Sequence, residues 1–408
     1  MARKKTSKAT TKIPSFLAVD FFCGAGGTTR GLIDAGGYVI AGIDKDARCN
    51  QTYAENNDNS TIDYMSPEFL DLDIFPASNK CPDGQQELLF SKLEELIPLY
   101  RKQAKGVPLL FAICAPCQPF TNLSKKCLTK ERKKARKRDR NLLFEAAKFV
   151  EHFEPELVLS ENVAGIKDPR YGGVWEDFRA SLEDLDYITG SKVVCASKFG
   201  IPQNRKRSIL MAVRKNLVRS ERLVDLAGTE LLVPNANPDT SKISVREAIG
   251  SLPPIKAGEM YKSKNLHNHR ARSLSDLNLK RLRCAKPGES NAYMENTKFG
   301  DLSLDCHRKV NKRLQARCFS DVYTRMHPDR PAPTITTKCY SISNGRFGHF
   351  DKKQVRGISL REAAKLQSFE DDYVFYPTDR ASFVAQMIGN AVPPKLAAFF
   401  AGYLANSI

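Results

Sequence analysis

The chain lacks any apolar run near the ~18 residues that a membrane-spanning helix needs. No apolar segment follows its basic start, so no secretory signal is expected, and no membrane partner. Cysteine is present but unorganised. Eleven residues, an odd number, are scattered without a framework spacing, which excludes a disulfide scaffold and reads as reduced thiols in the cytoplasm. The spacings of Cys284, Cys306, His307 and Cys318 match no zinc pattern, so no metal is expected. His267-Asn268-His269 lacks the ββα-metal context of a nuclease. Acidic residues are in deficit, 46 against 64 Lys and Arg, giving a net charge of +18 over 408 residues. A soluble chain this basic points to a polyanion, nucleic acid first.

The basic charge is not uniform. Residues 1–14 read as a disordered basic arm. Lys125–Arg140 carries ten basic and two acidic residues; such a run is either a solvated face or a contact for a phosphate backbone. After about Arg214 the βα rhythm ends, and a second domain of small sheets and loops is expected.

The first half alternates strands and helices. Phe16–Phe22 is an apolar strand pattern that runs into Cys23-Gly24-Ala25-Gly26-Gly27 and then a helix. Strand, glycine turn and helix suit a nucleotide-type ligand, because the backbone can approach closely and the helix start offers free N–H groups. The spacing fits neither the dinucleotide nor the P-loop pattern. A second strand, 38–43, ends in Asp44, which is placed to accept from ribose hydroxyls or to cap a helix over 46–56. Leu70–Ile74 reads as a short third strand with Asp73 at its end. A helix over 85–102 should kink or stop at Pro98.

Leu109–Ile113 is a buried-strand pattern that ends in Cys114-Ala115-Pro116-Cys117. Pro116 stiffens the exit and sets Cys117 just past the strand's carboxyl end, where open α/β sheets bind ligands. Cys117 is a nucleophile, half of a redox pair, or a buried thiol. A strand over 156–160 ends in Glu161-Asn162-Val163. Arg205 and Arg207, two apart ahead of a strand over 208–213, face one side and suit an anion. Ser359 and Glu362 form a capping box for a helix over 359–368. Pro393 and Pro394 open an apolar helix over 395–404 that needs a core to cover.

Taken together and in order, these segments resemble the DNA cytosine-5 methyltransferases over nearly the whole chain: Asp20-Phe21-Phe22-x-Gly24-x-Gly26-Gly27, Asp44, Asp73, Pro116-Cys117-Gln118, Asn141-Leu142-Leu143-Phe144, Glu161-Asn162-Val163, Gln203-x-Arg205-x-Arg207, Arg330–Thr337 and Gly389-Asn390-Ala391-Val392. The resemblance implies a doubly wound, Rossmann-like α/β sheet over 15–217, a smaller target-recognition domain over 218–350, and a C-terminal segment, 355–408, returning to the catalytic domain. It implies Cys117 as the nucleophile at cytosine C6, Glu161 as the acid at N3 and N4, and Arg205 and Arg207 steadying O2. S-adenosyl-L-methionine would be held by Phe22, Gly24, Gly26, Gly27, Asp44, Asp73, Pro116, Leu142, Asn390 and Ala391. The partner is double-stranded DNA, met by a monomer; a restriction, phage or free-standing role is open, with a cognate restriction endonuclease in the first case. A tRNA cytosine methyltransferase and a non-catalytic DNA binder are the alternatives. Three features depart from the family: a long 75–108 interval, an unusually basic loop after Cys117, and Asp rather than Glu at 44.

Overall fold

The computed structural model describes residues 13–58, 66–79, 81–117, 120, 129–218, 224–225, 229–315 and 318–408. Residues 1–12 of the expected arm, residues 125–128 of the basic run and Gln118 lie outside the described residues.

The strands are β1 (Phe16–Phe21), β2 (Gly37–Ile43), β3 (Glu68–Leu70), β4 (Leu109–Ile113), β5 (Leu157–Val163), β6 (Tyr187–Cys195), β7 (Gln203–Asn204), β8 (Lys206–Arg214) and β9 (Ala332–Pro333). The α-helices are α1 (Gly27–Asp34), α2 (Asn50–Asn56), α3 (Gln86–Gln103), α4 (Lys130–Arg138), α5 (Leu142–Phe153), α6 (Val174–Asp184), α7 (Val245–Ile249), α8 (Asp276–Cys284), α9 (Asp305–Leu314), α10 (Leu360–Leu366), α11 (Ala381–Asn390) and α12 (Pro394–Ala405). The main sheet has seven strands in the order β3-β2-β1-β4-β5-β8-β6. β8 is antiparallel to β5 and to β6, and the pairs among β1 to β5 are parallel.

Both faces of the sheet are covered, as its apolar strands require. Leu17, Val19 and Phe21 of β1 point to a core shared with α3, α5 and α6, while Phe16 and Ala18 point to one shared with α1 and α12. β4 alternates in the same way. α12 covers the second face through Leu396, Phe400, Ala401 and Leu404. It lies close on α1 because Gly31 has no side chain: a Cβ there would sit 2.4 Å from the Pro394 carbonyl oxygen. From β1 the chain runs outward to β2 and β3, then returns through α3 to β4 on the other side of β1. That reversal opens a crevice beyond the carboxyl ends of β1 and β4.

Several expected elements are corrected. The third strand ends at Leu70, so Asp73 follows it in the loop. α3 runs through Pro98 to Gln103, because its buried face of Leu89, Leu93, Leu96, Ile97 and Tyr100 continues across the proline. α11 was not legible as a helix. α10 and α11 join a separate core with α7, Met326, Ile335 and Phe347, so within 355–408 the return to the sheet is made by α12.

Of the small sheets expected after Arg214, the described residues show one two-stranded pair, β7–β9. Among the described residues from 218 to 350, β9 is the only strand, alongside isolated bridges. Buried arginines satisfy the loop carbonyls instead. Arg325 Nη1 donates to the carbonyls of His349 (2.7 Å), Asp351 (2.9 Å) and Gln354 (3.0 Å). Arg361 donates to those of His267, Glu370 and Tyr373. Arg356 forms a fork with Glu362 at 2.6 and 2.7 Å. Glu362 also accepts from the Ser359 amide, completing the expected capping box. His269 is part of this frame, bonded to Ser359 Oγ and the Pro253 carbonyl.

Burial pushes the Glu362 carboxyl up, but Arg356 and His349 outweigh it and hold it well below the usual carboxylate range. Its contribution to stability is therefore present above the ordinary unfolded value of about 4.3 and is lost as pH falls toward the depressed folded value. Glu362→Ala should cost about 3–5 kcal/mol at pH 7, since it strands a buried guanidinium. Denaturant unfolding at several pH values should show that deficit shrinking below pH ~4; a deficit independent of pH would refute the assignment.

Candidate active site

The crevice holds two adjoining cavities. The first, about 220 Å3, takes its walls from the β1–α1 turn, the end of β4, β5, the start of β8, and α11. Cys117, Glu161, Arg205, Arg207, Gly24, Gly27, Asn390 and Ala391 line it. The second, about 240 Å3, is lined by Ile43, Leu72, Asp73, Ile74 and Leu142 among others. Phe22, Asp44, Lys45 and Pro116 belong to both. Of the residues expected in the site, Gly26 alone lines neither cavity.

The β1–α1 turn is built from left-handed residues: Phe22 (φ 63°), Gly24 (φ 51°) and Gly26 (φ 85°). A bulky residue there is uncommon and stores local strain, which marks Phe22 as held in place for a purpose. Gly26 serves by packing, because a Cβ at that position would lie 2.1 Å from Asn57 Nδ2. Asp44 accepts from the amides of Gly24 (3.0 Å) and Asp46 (2.9 Å), which fix its carboxylate against the turn. Burial raises its carboxyl above the usual value, and those amide bonds oppose the rise. Asp73 faces the second cavity with Lys45 Nζ at 3.7 Å. A strained turn, a held carboxylate and an apolar second chamber suit a nucleoside carrying a polar tail.

The nucleophile candidate and the acid candidate are tied through their strands. Asn162 Nδ2 donates to the Ala115 carbonyl at 3.0 Å, and Ser160 Oγ to that of Ile113 at 2.5 Å. β5 thus fixes the loop that carries Cys117. Arg207 Nε lies 2.8 Å from Glu161 Oε1. That oxygen is buried and has no aligned hydrogen-bond donor among the described residues. Burial pushes the Cys117 thiol up, Arg207 and then Arg205 pull it down, and Glu161 pushes it up again, with a net rise. Cys114 is pushed further, by burial first and then by the charge of Glu161, as befits an inert thiol.

The two arginines, expected as a pair at the reacting ring, divide. Arg205 is buried, and its Nη groups donate to the carbonyls of Ile335 (3.0 Å), Gly389 (3.4 and 3.5 Å) and Ala391 (3.2 Å). It ties β9's connector and the end of α11 to the site, and it lines the cavity beside Arg207. Arg207 is the guanidinium that meets the acid. The expected site missed Phe383, Gln386 and Met387 of α11. The apolar spacing of Phe383, Val384, Met387 and Ile388 was the available signal.

A model of the family described as C-5 cytosine-specific DNA methylase matches residues 101–406. The Type II methylase M.HgiDII of Herpetosiphon aurantiacus is 33% identical over 380 residues, covering 93% of this chain and 92% of that one. The Type II methyltransferase M.DdeI of Desulfomicrobium norvegicum is 26% identical, covering 93% and 86%. The crystal structure of S. pombe Dnmt2 methyltransferase superposes with a TM-score of 0.53 at 15% identity, covering 96% of this chain and 98% of that one. An E. coli prophage-encoded structure described as a DNA modification methyltransferase gives 0.63 at 20% identity, covering 96% and 99%.

Beneath the glycine turn, Asp20 accepts from Thr29 Oγ1 at 2.7 Å, and its other oxygen has no partner among the described residues. Burial, opposed by Thr29, raises its carboxyl to about 7. A raised folded value means that stability present below the unfolded value of about 3.9 is lost as pH rises through about 7. Asp20→Asn should therefore gain on the native protein between pH ~4 and ~7, by on the order of 4 kcal/mol at the plateau. Urea unfolding across that range measures the gap; a gap that stays flat would contradict it.

Proposed function

Since the chain belongs to the C-5 cytosine-specific DNA methylases and is a DNA (cytosine-5)-methyltransferase, we propose that it methylates one cytosine within a short sequence of double-stranded DNA through a covalent bond from Cys117. The observation that carries this reading is Glu161, whose buried Oε1 lies 2.8 Å from Arg207 Nε with no aligned hydrogen-bond donor among the described residues, in a cavity that Cys117 also lines.

Cytosine C5 is a weak nucleophile until something adds across the 5,6 bond. The Cys117 thiolate is suited to add at C6, because sulfur is strongly nucleophilic even when little of it is ionised. The electron pair displaced from that bond moves toward N3 and O2. Glu161, protonated for this step, donates to N3 and accepts from the exocyclic N4, so it both relieves the charge and selects cytosine. Arg207 steadies O2 and holds the acid in register. Arg205 acts through the backbone, fixing the walls of the cavity. Once C5 carries the methyl group, its proton passes to a base, the C5–H electron pair re-forms the 5,6 double bond, and the C6–sulfur bond breaks to restore the Cys117 thiolate.

The two cavities fit S-adenosyl-L-methionine, which supplies the methyl group when bound. Asp44 would accept from the ribose hydroxyls. Phe22, Ile74 and Leu142 would enclose the adenine, and Asp73 would meet its polar edge. The turn at Gly24, Gly26 and Gly27 and the floor at Pro116, Asn390 and Ala391 would shape the rest.

A cytosine inside a duplex cannot reach this cavity, so the nucleotide must rotate out, at a cost of a few kcal/mol. Phosphate contacts from α4 and from residues 218–350, the proposed target-recognition domain, offset that cost. The similarity to Type II methylases supports a restriction-modification role, with a cognate endonuclease reading the same site.

Incubation with plasmid DNA should place 5-methylcytosine within one short motif by bisulfite sequencing. Methylation of tRNA with none on duplex DNA would overturn the proposal. Glu161→Gln should lower kcat by about 10²–10⁴-fold while duplex binding persists; a near-native kcat would remove Glu161 from the chemistry.

A further inference from the structure

Outside the active site, four lysines converge on one trough of about 760 Å3 at the open edge of the main sheet. Lys192 comes from β6, Lys198 from the turn after it, Lys206 from β8 and Lys242 from a distant loop. All four are exposed. The lining contains no aspartate or glutamate; Asp239, in the bordering loop, is outside it. Lys192 Nζ donates to Asn235 Oδ1 at 2.8 Å. Among the described residues no carboxylate pairs with any of the four.

Lysines on an edge strand can serve merely to discourage pairing with another sheet. That accounts for Lys192 but not for Lys198, Lys206 and Lys242, which lie off the edge strand. Position gives the cluster a second meaning. In the β6–β8 ladder, Cys195 pairs with Lys206 and Val194 with Arg207. Lys206 is thus the chain neighbour of Arg207, whose guanidinium meets Glu161, with the two side chains on opposite faces of the strand. Lys206 and Lys192 lie on opposite faces of the sheet, so the trough wraps the strand edge. From Cys195 back to Lys192 is three residues, about 10 Å of strand.

We infer that this trough is a phosphate-backbone site, which receives the duplex flanking the rotated cytosine as it leaves the active site. The inference rests on the duplex-DNA reading above. The lysines supply point charges without reading bases, so they set affinity and register and leave the recognised sequence unchanged.

The test compares the native protein with the triple variant K192E/K198E/K242E, which spares Lys206 beside the catalytic arginine. Binding is measured by fluorescence anisotropy from 50 to 200 mM salt, on a long duplex carrying the methylated motif and on a short one ending just beyond it. On the long duplex the slope of log K against log salt should fall by about two to three, at ~0.9 for each phosphate no longer neutralised. On the short duplex the two proteins should agree. Methyl transfer at saturating DNA should keep its kcat and its motif, and the triple lysine-to-arginine variant should restore the native slope. If the triple variant does not fold, each single lysine-to-glutamine change should lower the slope by about 0.9. An unchanged slope on the long duplex, in a native protein that methylates duplex DNA, overturns the inference. A loss confined to structured RNA would assign the trough to RNA and equally overturn it. A native protein that methylates no duplex at all would instead defeat the functional reading, and that result is separately visible.

Discussion

Arg205 is buried beside the reacting cavity, and its guanidinium binds three main-chain carbonyls that lie 130 residues or more further along the chain. A guanidinium taken out of water is tolerable only where such acceptors surround it. The cavity depends on this contact. Its catalytic wall comes from β4, β5 and β8, and its opposite wall from the end of α11. Gln203 reinforces the same seam, accepting from the Ile335 amide and donating to the Leu366 carbonyl. The Gln203–Arg207 stretch thus supplies a frame through its first members and, on the proposed mechanism, chemistry through its last.

The electrostatics of the site follow from that frame. Burial and the charge of Glu161 oppose thiolate formation at Cys117, while two guanidinium groups favour it. On the proposed mechanism, protonating Glu161 removes one of the opposing charges, so the acid and the nucleophile become competent together. Cys114, which lines the same cavity, experiences the opposing influences without a guanidinium to balance them. Two cysteines three residues apart on one strand end are separated in chemistry by the environment of each.

Much of the catalytic layer was legible because its signals are local. Short apolar runs bounded by glycine or proline marked β1 and β4, and the β4 bounds match the expected ones. The capping box at Ser359 and Glu362 was readable for the same reason. What could not be read depends on distant contacts. The burial of α3 carries it through Pro98, where the local rule kinks or stops a helix. Nothing local marks Arg325, Arg356 and Arg361 as buried, yet they hold the loops of the second half together from within. The site itself joins segments hundreds of residues apart, and no periodicity announces that union. Resemblance pointed to the segments, while the different partners of Arg205 and Arg207 emerged only from the geometry.

The central claim is that Cys117 bonds to C6 of the target base. A duplex carrying 5-fluorocytosine at the methylated position tests it most directly, because fluorine at C5 cannot leave as the proton does and the adduct persists. With S-adenosyl-L-methionine present, the account predicts a complex that survives denaturation, with the added mass mapping to the Cys117 peptide and absent from Cys117→Ser. A protein that methylates the normal duplex but forms no such adduct, or forms it through another residue, would contradict it.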